Sequence, residues 1–131
     1  MQAKLPIIIT IVFGIVIGLC AIAGESSGKG AKLRHVVAFK FKDSVTKEQL
    51  KEVEDAFRAL KTSIAEIESF EWGTNISPEK FDKGFTHGFI LTFKSEKDRD
   101  TYLAHPEHKK FGQLVHTVLA DAFVIDFWSK Q

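Results

Sequence analysis

Six apolar residues, Leu50, Val53, Phe57, Leu60, Ile64 and Ile67, recur at steps of 3, 4, 3, 4 and 3. Only a helix gathers such a run onto one stripe. Thr46, with Gln49 three positions later, supplies a capping box that starts it. Glu48, Lys51, Glu52, Asp55, Arg58 and Lys61 fill the opposite side. Glu54–Arg58 has the spacing of a favourable pair, whereas Glu48–Glu52 sets like charges together. A helix apolar on one face must cover another layer. The flanking segments, which alternate with a period of two, point to a sheet as that layer.

Leu33 to Phe41 places His35, Val37, Phe39 and Phe41 on one face of a first strand. Ser69 to Asn75 reads as a short second strand with Phe70 and Trp72, and residues 76–84 as a loop containing Pro78 and Gly84. Phe85 to Phe93 sets His87, Phe89, Leu91 and Phe93 on one side of a third strand. Ser95 with Asp98 opens a short helix to about Ala104, and Pro106 suits the first turn of another, which runs to about Leu119. Asp121 to Trp128 alternates again. The predicted order, strand, helix, two strands, helical segment, strand, is that of a ferredoxin-like α+β fold with a four-stranded antiparallel sheet. Val36 and Ala38, with Phe123, Ile125 and Phe127, make the sheet's second face apolar too. A second copy of the chain is expected to cover it in a two-fold homodimer joined through sheet faces.

Composition narrows the function. In 131 residues, 18 Lys and Arg stand against 17 Asp and Glu, a formal charge of +1, so no overall positive field attracts nucleic acid. A single cysteine, Cys20, excludes an internal disulfide framework and cysteine-clustered metal sites. Lys4 is the only charge in the first 23 residues. Residues 5–23 therefore read as a signal peptide cut after Ala21-Ile22-Ala23, as an uncleaved membrane anchor, or as a leader lipidated at Cys20. Each reading places the protein outside the cytoplasm, in the periplasm or cell envelope. Residues 24–32 form a polar, glycine-rich linker, 33–128 the domain and 129–131 a tail.

Five histidines and one tyrosine are the residues with chemistry to offer. His35 and His87 lie on neighbouring strands. Tyr102, His105 and His108 lie at the junction of the two later helices, with Glu107 favoured by its place in a first helical turn. His116 belongs to the surface. A neutral imidazole can take a proton, and a phenol can donate a hydrogen bond to a carbonyl oxygen. His35, His87, His105, Phe57, Phe89 and Trp72 are the candidate ligand-binding residues, and His108 with Tyr102 the candidate catalytic pair. Each also has a structural reading: helix caps for His105 and His108, core for the aromatics. No metal set and no cofactor motif is apparent.

Leu33-Arg34-His35-Val36-Val37-Ala38-Phe39-Lys40-Phe41-Lys42, then Gly84 to Phe93, then Tyr102-Leu103-Ala104-His105-Pro106-Glu107-His108, then Asp126-Phe127, closely resemble the stress-responsive dimeric α/β-barrel (Dabb) family. The resemblance spans about residues 33–128 and implies a ferredoxin-like protomer in a barrel-like homodimer. One plant member closes a linear tetraketide thioester by an aldol reaction. Its catalytic tyrosine and histidine match Tyr102 and His108, with the histidine as base, and two further pocket histidines match His35 and His87. Phe57 replaces a pocket tyrosine and cannot donate its hydrogen bond. The expected function is thus an exported homodimer that binds a small hydrophobic or aromatic molecule; the alternative is a cofactor-independent cyclase or isomerase. A haem or quinol monooxygenase role has fold analogy alone behind it.

Overall fold

The computed structural model describes residues 30–130. The order is β1 (Leu33–Phe41), α1 (Lys47–Ser63), β2 (Ser69–Thr74), β3 (His87–Phe93), α2 (Glu96–Ala104), α3 (Pro106–Val118) and β4 (Leu119–Trp128). Thr46 accepts a hydrogen bond from the Gln49 amide while the Gln49 side chain accepts one from the Thr46 amide, so the capping box forms. The helix stops at Ser63, short of the apolar run. Ile64 turns to extended backbone and Ile67 closes a turn onto its carbonyl. Both side chains remain buried. A turn after the helix thus satisfies the same spacing.

The four strands form one antiparallel sheet in the order β2-β3-β1-β4. The sheet is open. Its outer strands, β2 and β4, lie at opposite edges and do not pair, so the barrel expected from the sequence is not what this chain forms. Closure needs strands enough, tilted and staggered, to bring the last beside the first; eight is typical of small barrels. The fold is ferredoxin-like α+β with an open sheet.

The core lies between the helices and one sheet face. Phe57 of α1 stacks on Phe111 of α3 with ring centroids 4.4 Å apart, and reaches Phe89 at 4.5 Å and Phe70 at 5.2 Å. Phe39 joins Phe89 at 5.0 Å. These rings fill the middle of the layer. The opposite sheet face carries Phe123, Ile125 and Phe127, each close to half exposed.

Residues 1–29 lie outside the described residues, and with them the predicted leader or anchor over 1–23, Cys20 and most of the linker. Among the described residues no helix is long and apolar enough to cross a membrane. The longest, α1, has 17 residues and a charged outer side. The membrane anchoring expected from the sequence therefore finds no spanning helix among the described residues, and the exported, periplasmic or envelope location rests on residues outside them.

Candidate functional site

Three of the predicted residues meet where β1, β4 and the α2–α3 junction converge. α2 ends and α3 begins on the same residue, His105. This leaves one extended residue between the helices and brings His108, in the first turn of α3, back over Tyr102. Their ring centroids are 4.4 Å apart. Tyr102 also meets His35 edge-on at 5.7 Å. Tyr102 and His35 are buried, whereas His108 is half-buried and faces outward.

Two residues that the sequence reading passed over organise this group. His35 on β1 stands opposite Asp126 on β4, and its Nδ1 donates to Asp126 Oδ1 at 2.6 Å. The other carboxylate oxygen accepts from Arg99 Nη1 at 2.7 Å. Burial pushes the Asp126 carboxyl up, but the hydrogen bonds from Arg99 and His35 and their charges outweigh it and hold the group below its usual range. Arg99 is raised by its bonds to Asp126 and Asp100. An ionised Asp126 holds a proton on His35 Nδ1 and so orients the ring. The sequence signal was a lone acid at an inward position of an apolar strand, directly across from a histidine.

His108 Nδ1 donates to the Leu103 carbonyl at 3.2 Å, one of the oxygens that the end of α2 leaves without a helical partner. Nε2 is then the lone-pair nitrogen. Burial is the main cause that lowers the His108 pKa, with the nearby His35 adding to it and the Leu103 bond opposing. The ring is therefore neutral at pH 7. Burial, followed by the charge of Asp126, raises the Tyr102 phenol far above its ordinary range, so it stays protonated. The site sets a protonated phenol beside a neutral imidazole, with a second imidazole oriented behind them.

His87 stands apart. It pairs with Phe39, whereas His35 pairs with Leu91 four residues along the ladder, a separation of about 13 Å at the usual strand rise. Its Nε2 donates to Glu54 Oε1 at 3.0 Å and its Nδ1 accepts from Thr86 at 2.8 Å. Both nitrogens are engaged, and the ring packs between Phe41 and Trp72. Glu54 is thus taken by a strand histidine; Arg58, its predicted partner, instead pairs with Asp55 at 2.5 Å. His105 caps α3 by accepting from the Glu107 amide at 3.1 Å. Phe57 and Phe89 lie in the ring cluster of the core, and Trp72 stacks on Phe89 at the β2 edge.

The inner sheet face is incompletely covered beside the His35 group. Val124 is the cross-strand partner of Val37 and so shares the helix-facing side. Val37 is buried, yet Val124 is 52% exposed. Leu103, beside Tyr102 on α2, is likewise an exposed apolar residue. A cleft of about 670 Å³ lies elsewhere, between the outer sheet face and the 75–85 loop.

An open four-stranded antiparallel sheet with helices on one face, carrying a tyrosine–histidine pair at the junction of its last two helices, defines a ferredoxin-like α+β domain. The particular family follows from the sequence match: residues 33–129 fit the Stress responsive A/B Barrel Domain, and the chain belongs to that family. Stress-response A/B barrel domain-containing protein HS1 of Arabidopsis thaliana is 34% identical over 95 residues, covering 72% of this chain and 87% of that one. Olivetolic acid cyclase of Cannabis sativa is 26% identical over 95 residues, covering 72% and 94%. Among solved structures, At3g17210 from Arabidopsis thaliana superposes with a TM-score of 0.72 at 32% identity, covering 76% and 96% of the two chains. A dimeric protein of ferredoxin-like fold from Bacteroides fragilis gives 0.60 at 26% identity, covering 73% and 94%.

Proposed function

We propose that the protein is a homodimer whose protomers each bind a small hydrophobic or aromatic molecule through an oxygen atom held at Tyr102, His108 and His35. The observation that carries this reading is the 4.4 Å contact between the Tyr102 and His108 rings, beside an inner sheet face left open at Val124. A neutral phenol donates to a carbonyl or carboxylate oxygen, and a neutral imidazole accepts from a hydroxyl. Exposed Val124 and Leu103 give an apolar body somewhere to lie. The apolar outer face of the sheet, and the dimeric relative, support the second copy.

Olivetolic acid is a suitable probe, since one relative is named for it. Calorimetric titration of the full chain should give saturable binding that weakens about tenfold in Tyr102→Phe, the equivalent of one hydrogen bond. Absent binding, or binding indifferent to both Tyr102→Phe and His108→Ala, overturns the proposal.

A second reading, acid–base catalysis, is favoured by one observation: the Leu103 carbonyl holds the His108 proton on Nδ1. Nε2 is then free to take a proton from an acidic carbon while Tyr102 holds the resulting oxyanion. Solvent deuterium exchange into a 1,3-diketone probe, followed by NMR, tests this. Exchange must be faster with wild type than with His108→Ala, and equal rates sink it.

A further inference from the structure

Tyr102 is 1% exposed and His35 5%, so a molecule that touches both has to move something aside. The packing of α2 singles out what can move. Of the nine residues Glu96–Ala104, Tyr102 alone is buried. By contrast α1 buries Val53, Phe57 and Leu60, and α3 buries Phe111 and Val118. A helix that buries one side chain has little apolar area holding it down, and local opening draws on segments of that kind. The one side chain that α2 buries is the phenol of the site.

The two sides of α2 are held differently. Towards β3 and α3 the helix packs directly, and the Leu103–His108 bond ties its end to α3. Towards β4 its contacts are polar. Arg99 Nη1 donates to Asp126 Oδ2 at 2.7 Å, and one turn back Glu96 Oε1 accepts from Trp128 Nε1 at 3.4 Å. Glu96 and Arg99 share one side of the helix. Asp126 and Trp128 share one face of β4, an edge strand. The 3.4 Å bond is long and therefore weak, which leaves the Arg99–Asp126 pair as the main hold. Asp100 braces the guanidinium, accepting from Nε at 2.9 Å and lying 2.8 Å from Nη2.

We propose that the Arg99–Asp126 pair is a latch that holds the β4 side of α2 closed over His35, and that its release lets α2 swing on its β3 and α3 contacts, carrying Tyr102 outward and admitting the ligand. The inference rests on the binding reading given above and adds how the site is entered. Arg99 is a positioning residue in it, acting on Tyr102 through the helix and on His35 through Asp126. The two oxygens of Asp126 divide the work: Oδ1 orients His35 and Oδ2 holds the lid. Arg99 and Asp126 are 20% and 25% exposed, so water takes over each half as the pair parts and salt weakens it. A fully buried pair would strand two unpaired charges on opening; this one does not.

The chain has a single tyrosine, so nitration by tetranitromethane, read from the mass of the peptide that carries Tyr102, reports opening at this one residue. Amide hydrogen exchange over residues 96–104 reports the helix. Arg99→Gln in the full chain should speed both about fivefold, as loss of one partly exposed ion pair predicts, while exchange in α1 and α3 keeps its wild-type rate. Arg99→Lys, which retains the charge, should reverse most of the effect. In wild type, raising salt from about 0.1 M to about 1 M should speed Tyr102 nitration relative to exchange in α3, and Arg99→Gln should lack that dependence. Unchanged rates at α2, or an acceleration spread equally over α1, α2 and α3, overturn the latch. If Arg99→Gln loses its fold, the wild-type salt series decides, and nitration that salt leaves unchanged relative to α3 overturns it. Failure of olivetolic acid to bind would sink the binding reading, while the latch stands or falls on these rates alone.

Discussion

Removal of the Asp126 carboxylate should cost stability in a way that depends on pH, and the sign follows from the site. Asp126→Ala deletes two charge-assisted hydrogen bonds, at 2.6 Å from His35 and 2.7 Å from Arg99. Such bonds contribute about 1.5–3 kcal/mol each when buried. Here the carboxylate and Arg99 are 25% and 20% exposed, so solvent weakens the Arg99 bond. The His35 side, at 7% exposure, leaves a buried donor without its partner. Together these put the loss at about 2 kcal/mol at pH 7, or about 8–16 °C in Tm for a domain of this size. The Asp126 pKa is lower in the folded chain than its ordinary value. Its contribution is therefore complete above about pH 4 and lost as pH falls through the folded value. Urea melts of wild type and Asp126→Ala should differ at pH 7 and draw together as pH falls below about 4. A gap that stays constant across that range, or is missing at pH 7, refutes the ionised Asp126–His35 pair.

Three further outcomes follow from single contacts. His108 is held neutral mainly by burial, so its imidazole resonances should titrate with a midpoint below 6.5; a midpoint above 6.5 contradicts its placement. Because its folded pKa is lowered, the unfolded chain binds the proton first, and His108 lowers stability as pH falls below about 6.5. His105→Ala removes the α3 cap and should cost about 1 kcal/mol by thermal melting, with no change in olivetolic acid affinity; lost affinity would give His105 a contact with the ligand. Phe57→Ala empties the centre of the ring cluster and should cost about 3–5 kcal/mol in urea. A loss under 1 kcal/mol would mean that the cluster is loosely packed.

Much of the fold was legible because periodicity is a local signal. The steps of 3 and 4 in α1 and the alternation in β1 and β3 place Val53, Phe57, Val37 and Phe89 in the core, where they are buried. Chain closure was not local. Nothing in the order of four strands tells whether β2 reaches β4, and the sheet stays open. Side-chain partners were ambiguous for a related reason. Glu54 lies four residues after Leu50 and three before Phe57, at the margin of the apolar stripe, where helix spacing offers Arg58 and tertiary packing offers His87. Burial decides: His87 is buried with Glu54 as a partner, while Arg58 has Asp55 in reach at the surface. The pairing of His35 with Asp126 spans 91 positions and needs the β1–β4 register, which local pattern does not supply.

The two strand histidines show why an imidazole count cannot locate chemistry. His87 is as buried as His35, but its two nitrogens are spent on Glu54 and Thr86 and its ring lies among Phe41, Trp72 and Phe89. It ties β3 to α1, and a proton taken from a substrate there would have to displace a bond that holds the fold. At the other end, Asp126 satisfies only one nitrogen of His35 and Leu103 only one of His108. The difference comes from the edge strand. β4 supplies Asp126 from below, yet its next inward residue, Val124, has little above it. The elements that orient the imidazoles thus engage only one ring nitrogen of each, and it is this asymmetry that supports the β4 end for the binding proposed above.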